Sequence, residues 1–196
     1  MTVNRISGAL ASRICLVLVL AATLTAARSL CAQAGPTLAS DLLKDWRAQK
    51  ETMMRIADAM PEASFGFRAT PPERSYGEQI LHVAGANIML MKFLGGKTPA
   101  PTIDDADLSV FGLKATSKAA ILKTLSDAYD YGEAVLREFQ DAQLREAVKG
   151  PRWIGDATRA KMVYYTLGHA QDIYGQMAVY LRLNGIVPPA SRRGGV

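Results

Sequence analysis

Apolar residues recur at three- and four-residue intervals through four long segments, and no segment shows the alternation with period two that marks a half-buried strand. The first segment runs from Ser40 to Met60. Leu42, Trp46, Met53, Ile56 and Met60 keep one stripe inward, and Gln49 lies on that stripe. Ser40 is the predicted N-cap, Asp41 sits at the positive end of the helix dipole, and Pro61 ends the helix. The link PEASFGFRATPPE reads as a loop whose Phe65 and Phe67 pack across one end of the core. The second helix begins near Glu73 or Ser75 and runs to Leu94, stopped by Gly95-Gly96. Ile80, Leu81, Val83, Ala84, Ile88, Met89, Leu90, Met91 and Phe93 make it apolar on most of its circumference, the pattern of a largely buried helix.

A long connection, residues 97–115, carries Asp104, Asp105 and Asp107. A calcium loop counted from Asp104 needs glycine at its sixth position and glutamate at its twelfth, where this chain has Ser109 and Ala115. The segment therefore reads as a solvated acidic loop. The third helix runs from about Ser117 to Phe139 on a stripe that includes Ile121, Leu125, Tyr129 and Leu136. Asp156 is the predicted N-cap of the last helix, which ends at Asn184-Gly185 ahead of Pro188-Pro189. Four helices of this length with no strand predict an all-α fold, a four-helix bundle.

Composition changes the picture at the N-terminus. Arg5 and Arg13 precede the apolar run Ile14–Ala27, too short for a comfortable membrane span and of the right length for a signal h-region. Ala32-Gln33-Ala34 is a small-x-small cleavage pattern, so residues 1–34 read as a signal peptide, 35–190 as the bundle and 191–196 as a flexible tail. Leu30 before Cys31 does not suit a lipoprotein signal. Cleavage predicts an exported protein, periplasmic or extracellular, with no membrane contact afterwards.

Three of the 23 basic residues (Arg5, Arg13 and Arg28) leave with the signal, so 20 face 18 acidic ones and the net charge falls from +5 to +2. That balance excludes a nucleic-acid partner, which needs a basic face. Both cysteines leave as well, so the mature chain has neither a disulfide nor a thiol nucleophile. There is no GxSxG elbow, HExxH helix or Walker A loop. Tyr164-Tyr165 and the methionine groups read as core. What remains is a pair of histidines on different helices, His82 and His169, each in apolar surroundings. Imidazole suits Zn, Ni, Cu or Fe, and bundle cores build metal sites from facing helices, but an inward histidine is also an ordinary hydrogen-bonded core residue.

RSYGEQILHVAGAN (74–87), preceded by FRATPPE, resembles the second-helix motif of the DinB-like superfamily, and HAQDIYGQMAVYLRLNGIVPPAS (169–191) resembles its last helix and exit. The resemblance covers nearly all of the mature chain. It implies a four-helix bundle, often a homodimer, and one divalent metal, usually zinc or nickel, held by three histidines. His82 matches the ligand of the second helix and His169 the first of the last helix, while the third position falls at Ile173, which has no donor atom. Asp172, one helical turn from His169, can complete a set of two histidines and one carboxylate or orient His169 from behind. Gln49 and Gln176 are candidates to line the same cavity. Characterised members of the family include thiol-dependent transferases and isomerases. Two readings follow. One is a metal-dependent hydrolase or thiol-dependent transferase with a degenerate ligand triad, export weighing against the thiol option. The other is a non-catalytic binding or structural bundle without metal, its pocket open to a small molecule or empty.

Overall fold

The computed structural model describes residues 35–192; residues 1–34, read from the sequence as a signal peptide, and residues 193–196 of the expected tail lie outside them. Residues 191 and 192, placed in the tail by sequence, close a 3-10 turn, Pro189–Ser191. Helix α1 spans Leu38–Ala59, α2 Tyr76–Lys92, α3 Lys118–Leu136, the short α4 Asp141–Leu144 and α5 Arg159–Leu183. The mostly helical architecture with four long helices agrees with the sequence pattern, and the differences lie at the ends. Thr37, not Ser40, caps α1, and Ser40 is the reciprocal member of a capping box that satisfies two otherwise orphaned N–H groups. The Asp141 carboxylate accepts from the Leu38 and Ala39 N–H groups at 3.0 and 2.9 Å, placing negative charge at the positive end of α1.

The other correction is a hairpin. Strands β1 (Ala147–Lys149) and β2 (Asp156–Thr158) pair antiparallel, with Val148 opposite Ala157. Asp156 is therefore a strand residue, and Thr158 caps α5 by accepting from the Lys161 N–H. Gly155, at φ +72°, closes the turn in the left-handed region that glycine enters without a Cβ clash. The hairpin pushes Trp153 into solvent, 57% exposed.

Each long helix touches two others. Helix α2 packs on α3 and α5, and α1 packs on α3 and α5, so α1 lies diagonally across from α2. The link between them must cross one end of the bundle, which explains its length and its aromatics. Phe65 is buried with its ring edge-on to Tyr76, centroids 5.6 Å apart, and Phe67 meets Tyr180 at 5.9 Å. Every residue of α2 from Tyr76 to Met91 except Glu78 is buried, so this helix carries the centre of the core. Two glycines allow that packing: Gly132 on α3 lies flat against the Trp46 indole, and Gly85 on α2 lies flat against Phe111. Phe111 itself has φ 54°, a left-handed conformation rare for an aromatic residue, and it is 2% exposed.

Candidate functional site

Position 82 faces α5 from the buried face of α2, and position 169 faces back from α5. The two imidazoles meet, with Nε2 atoms 3.1 Å apart and ring centroids 5.0 Å apart. His82 Nδ1 lies 3.0 Å from the Ser109 carbonyl oxygen. That oxygen only accepts, so Nδ1 carries the proton and His82 Nε2 presents a lone pair. His169 Nε2–H then donates to it, which leaves His169 Nδ1 without a proton. These tautomers follow from the hydrogen-bond network. His169 Nδ1 is buried and has no partner among the described residues. Burial pushes the His82 pKa down to about 4, with the Arg74 guanidinium and His169 adding to the effect. Burial also lowers that of His169, Asp172 opposing and Arg74 reinforcing. Both rings are neutral at pH 7.

The pair lies at the edge of a cavity of about 200 Å³. Ala86, Met89 and Leu90 of α2 form one wall, Phe111 another, and Leu108, Trp153 and Tyr165 frame the opening. Those three are 53%, 57% and 36% exposed, an apolar rim at the mouth of an otherwise buried site. Tyr164 and Tyr165, read as core from the sequence, are surface residues instead. Arg74 stands beside this arrangement. Its Nε–H donates to the same Ser109 carbonyl at 2.9 Å, and Nη2 reaches the Leu108 carbonyl at 3.4 Å. Among the described residues Arg74 makes no ion pair.

The other candidates from the sequence do not line this cavity. Asp172 is exposed and accepts from Gln176 Nε2 at 3.1 Å, while Gln176 Oε1 accepts from the buried Gln79 amide at 3.0 Å. Gln176 lines a separate depression with Arg74, Thr70 and Tyr180. Gln49 is buried but donates to the Leu167 carbonyl at 3.1 Å and lines a third depression with Asp45, Thr52 and Tyr164. The inward stripe of a helix feeds more than one crevice of a four-helix bundle, so a shared face does not bring Gln49 and Gln176 to one cavity. Ile173 is 3% exposed and packs in the core.

Residues 45–177 match the family model of the DinB superfamily. The chain belongs to the DinB superfamily. A comparison with curated proteins finds no match. Among solved structures, a DinB-like protein from Bacillus cereus is similar at 18% identity and a TM-score of 0.64, over 76% of this chain and 93% of that one. A DinB-like protein from Bacillus subtilis, YjoA, is similar at 14% identity and a TM-score of 0.56, over 74% of this chain and 92% of that one. YfiT from Bacillus subtilis, described as a probable metal-dependent hydrolase with an unusual four-helix bundle topology, is similar at 13% identity and a TM-score of 0.58, over 76% of this chain and 88% of that one. These likenesses concern the DinB fold.

Whether the residues of this DinB chain suit a metal can be tested on their donor atoms. Zinc–nitrogen bonds near 2.0–2.1 Å put two ligands of a tetrahedral site about 3.3 Å apart, so the Nε2 spacing alone agrees with a shared ion. Four observations oppose it. Among the described residues no three histidine, cysteine, aspartate or glutamate side chains gather at one point. Ile173 offers no donor, and Asp172 is turned to Gln176. A His169 ring that gave Nε2 to a metal would hold Nδ1–H buried without an acceptor, at a cost of about 1–3 kcal/mol, where ligating histidines normally donate that proton. The Arg74 guanidinium, bonded to the carbonyl that orients His82, repels a cation there. The set does not make up the three-ligand centre that the family resemblance implies.

Proposed function

We propose that this chain is an exported, non-catalytic small-molecule-binding member of the DinB superfamily that works without a resident metal. The observation that carries this reading is the pair of neutral imidazoles bonded to each other at 3.1 Å beside an apolar cavity, with isoleucine where a third ligand would stand. The ligand is small. A cavity of about 150 Å³ holds a benzene molecule, so about 200 Å³ suits one ring or a short chain. Leu108, Trp153 and Tyr165 supply apolar and aromatic contact at the mouth, and the histidine pair supplies a polar edge that orients the ligand. Export rests on the N-terminal signal pattern of residues 1–34.

A second reading, metal-dependent hydrolysis, is supported by the convergence of the two Nε2 atoms and by the description of YfiT. It needs further ligands from solvent or substrate. Elemental analysis of protein purified without a polyhistidine tag separates the two. The binding reading expects substoichiometric zinc and nickel together with saturable quenching of Trp153 fluorescence by small aromatic compounds. One transition metal per chain would overturn it. Cell fractionation with N-terminal sequencing tests export, and a cytosolic chain beginning at Met1 would refute that part.

A further inference from the structure

The depression between α1 and α5 shares no lining residue with the histidine cavity. Asp45, Ala48, Gln49 and Thr52 line it from α1, and Tyr164, Leu167, Gly168 and Gln171 from α5, around a space of about 420 Å³. Each set follows the i, i+3, i+4, i+7 spacing of one helix face, and the volume is that of a small-molecule site. Hydrogen bonds already made decide which atoms remain for a ligand. Gln49 Nε2–H donates to the Leu167 carbonyl at 3.1 Å, and a carbonyl only accepts, so the amide orientation is fixed. Gln49 is 4% exposed, and nothing among the described residues donates to its Oε1. The sealed, unpartnered side-chain atoms are Gln79 Oε1, both Asn87 amide atoms, Tyr129 Oη and His169 Nδ1. Gln49 Oε1 is not one of them, so the small exposed part of this residue includes that oxygen, on the side of the crevice it lines. Thr52 Oγ1–H donates to the Ala48 carbonyl at 2.9 Å, which leaves its lone pairs. The Asp45 carboxylate only accepts. Gln171 and the Tyr164 hydroxyl can turn either way. No lysine or arginine lines the crevice.

We infer that the α1–α5 crevice binds an organic primary ammonium, held between the Asp45 carboxylate and Gln49 Oε1, with its apolar body against Ala48, Leu167 and Tyr164. This goes beyond the histidine cavity and does not depend on it. Asp45 and Gln49 stand four residues apart on α1, the spacing at which two side chains meet one group. An ammonium has three donors and no acceptor, the complement of a wall whose fixed groups accept. Thr52 Oγ1 continues the row of acceptors one turn further on. Tyr164 is 52% exposed and adds an aromatic surface of the kind that attracts cations. A buried amide oxygen normally has a partner, and here the crevice is where one can reach it. The floor is bare at Gly168, where a Cβ would meet nothing within 4 Å.

The test compares n-pentylammonium with 1-pentanol, of nearly equal shape, titrated against the purified chain at pH 7 and low salt. Affinity is read from the amide NMR shifts of residues 45–52 and 164–171, so binding at the histidine cavity, reported by Trp153, does not enter. The ammonium is expected to bind about fivefold more tightly than the alcohol, the difference between a charge-assisted and a neutral hydrogen bond. In Asp45→Asn, which removes an exposed carboxylate, the ratio should fall to about one. In Gly168→Leu the new side chain fills the bare floor, and the shifts should disappear for both compounds. That variant is expected to fold, since its Cβ meets open space and leucine is a better helix former than glycine. Equal affinities in the unaltered protein, or binding of neither compound at these residues, would overturn the inference and leave the histidine cavity untouched. So would a preference for the ammonium that survives Asp45→Asn, or shifts that survive Gly168→Leu. Circular dichroism checks the fold of both variants, and if Gly168→Leu does not fold, the ratio in Asp45→Asn decides.

Discussion

Replacing Gly85 by alanine tests how the pocket wall is held. A Cβ at position 85 would lie closer than 3.0 Å to three atoms of Phe111: Cβ, Cγ and Cδ2. These are the root of the side chain, not its flexible end, and the Phe111 backbone already sits at φ 54°. The ring cannot swing aside without moving the loop. Overpacking of a core costs about 1–3 kcal/mol, and the top of that range applies when the obstructing atoms are anchored. Alanine recovers about 1 kcal/mol of helix propensity in the middle of α2. The net expectation is about 2 kcal/mol of destabilisation, or about 4–8 °C in Tm for a chain of this size. Urea unfolding measures the first and calorimetry the second. The same loop movement shifts Phe111 from the His82 ring, whose centroid lies 5.7 Å away, so ligand affinity should fall with stability. A double-mutant cycle isolates the contact. Phe111→Ala alone should cost about 4 kcal/mol for a buried aromatic ring. In that background Gly85→Ala meets no obstruction and should stabilise by about 1 kcal/mol, a coupling of about 3 kcal/mol. Additivity within about 0.5 kcal/mol would refute the close approach of Gly85 and Phe111.

Gly132→Ala should destabilise by about 1–3 kcal/mol, because its Cβ would fall closer than 3.0 Å to three indole atoms of Trp46, whose Nε1–H bonds the Tyr129 carbonyl at 2.9 Å; thermal unfolding checks this, and an unchanged Tm refutes it. Stability should fall as the solution is acidified from pH 7 to pH 5. His82 takes up a proton near pH 6.5 when unfolded but only near pH 4 when folded, so protons favour the unfolded chain, by about 2 kcal/mol at pH 5 from this one group. Urea midpoints across that range measure the effect, and a flat profile would contradict the burial of a neutral imidazole. Ile173→His restores the third family position one turn after His169. It should raise zinc affinity over the unaltered protein in isothermal titration, and equal uptake by both would show that the two remaining imidazoles do not form an inherited centre.

The fold was legible because burial dictates it along whole segments. The apolar circumference of residues 76–91 allows no placement but the centre of a bundle, and the capping Ser75 and Ser117 stand where the periodicity begins. The three-residue strands were not legible. Ala147–Lys149 and Asp156–Thr158 are too short to show alternation, and their pairing comes from a turn closed at Gly155. The site was legible where side chains do the work. The chain has two histidines, both embedded in apolar helices, and they had few places to go except toward each other. It was illegible where backbone does the work. The Ser109 carbonyl orients His82 and grips Arg74, and no side chain announces it. Arg74 carried one available signal, a cation directly ahead of the helix cap Ser75, and the Gly85–Phe111 contact carried another, a glycine inside an otherwise uninterrupted buried helix.

The shared Ser109 carbonyl also bears on why Ile173 is not the whole obstacle to a metal at the histidine pair. A three-histidine centre asks for an electronegative cavity, or at least a neutral one. Here the carbonyl that holds the first histidine is shared with a fixed guanidinium, and the third position is hydrocarbon. A fixed guanidinium bonded to the carbonyl that holds His82 disfavours a metal cation at the histidine pair. The Ile173→His substitution alone leaves Arg74 in place, so its zinc affinity should rise further in the double variant with Arg74→Gln. If the guanidinium disfavours the metal, the second substitution adds to the first. If zinc affinity is the same with or without Arg74, the electrostatic part of the argument is wrong, and only the missing donor distinguishes this pocket from a metal centre.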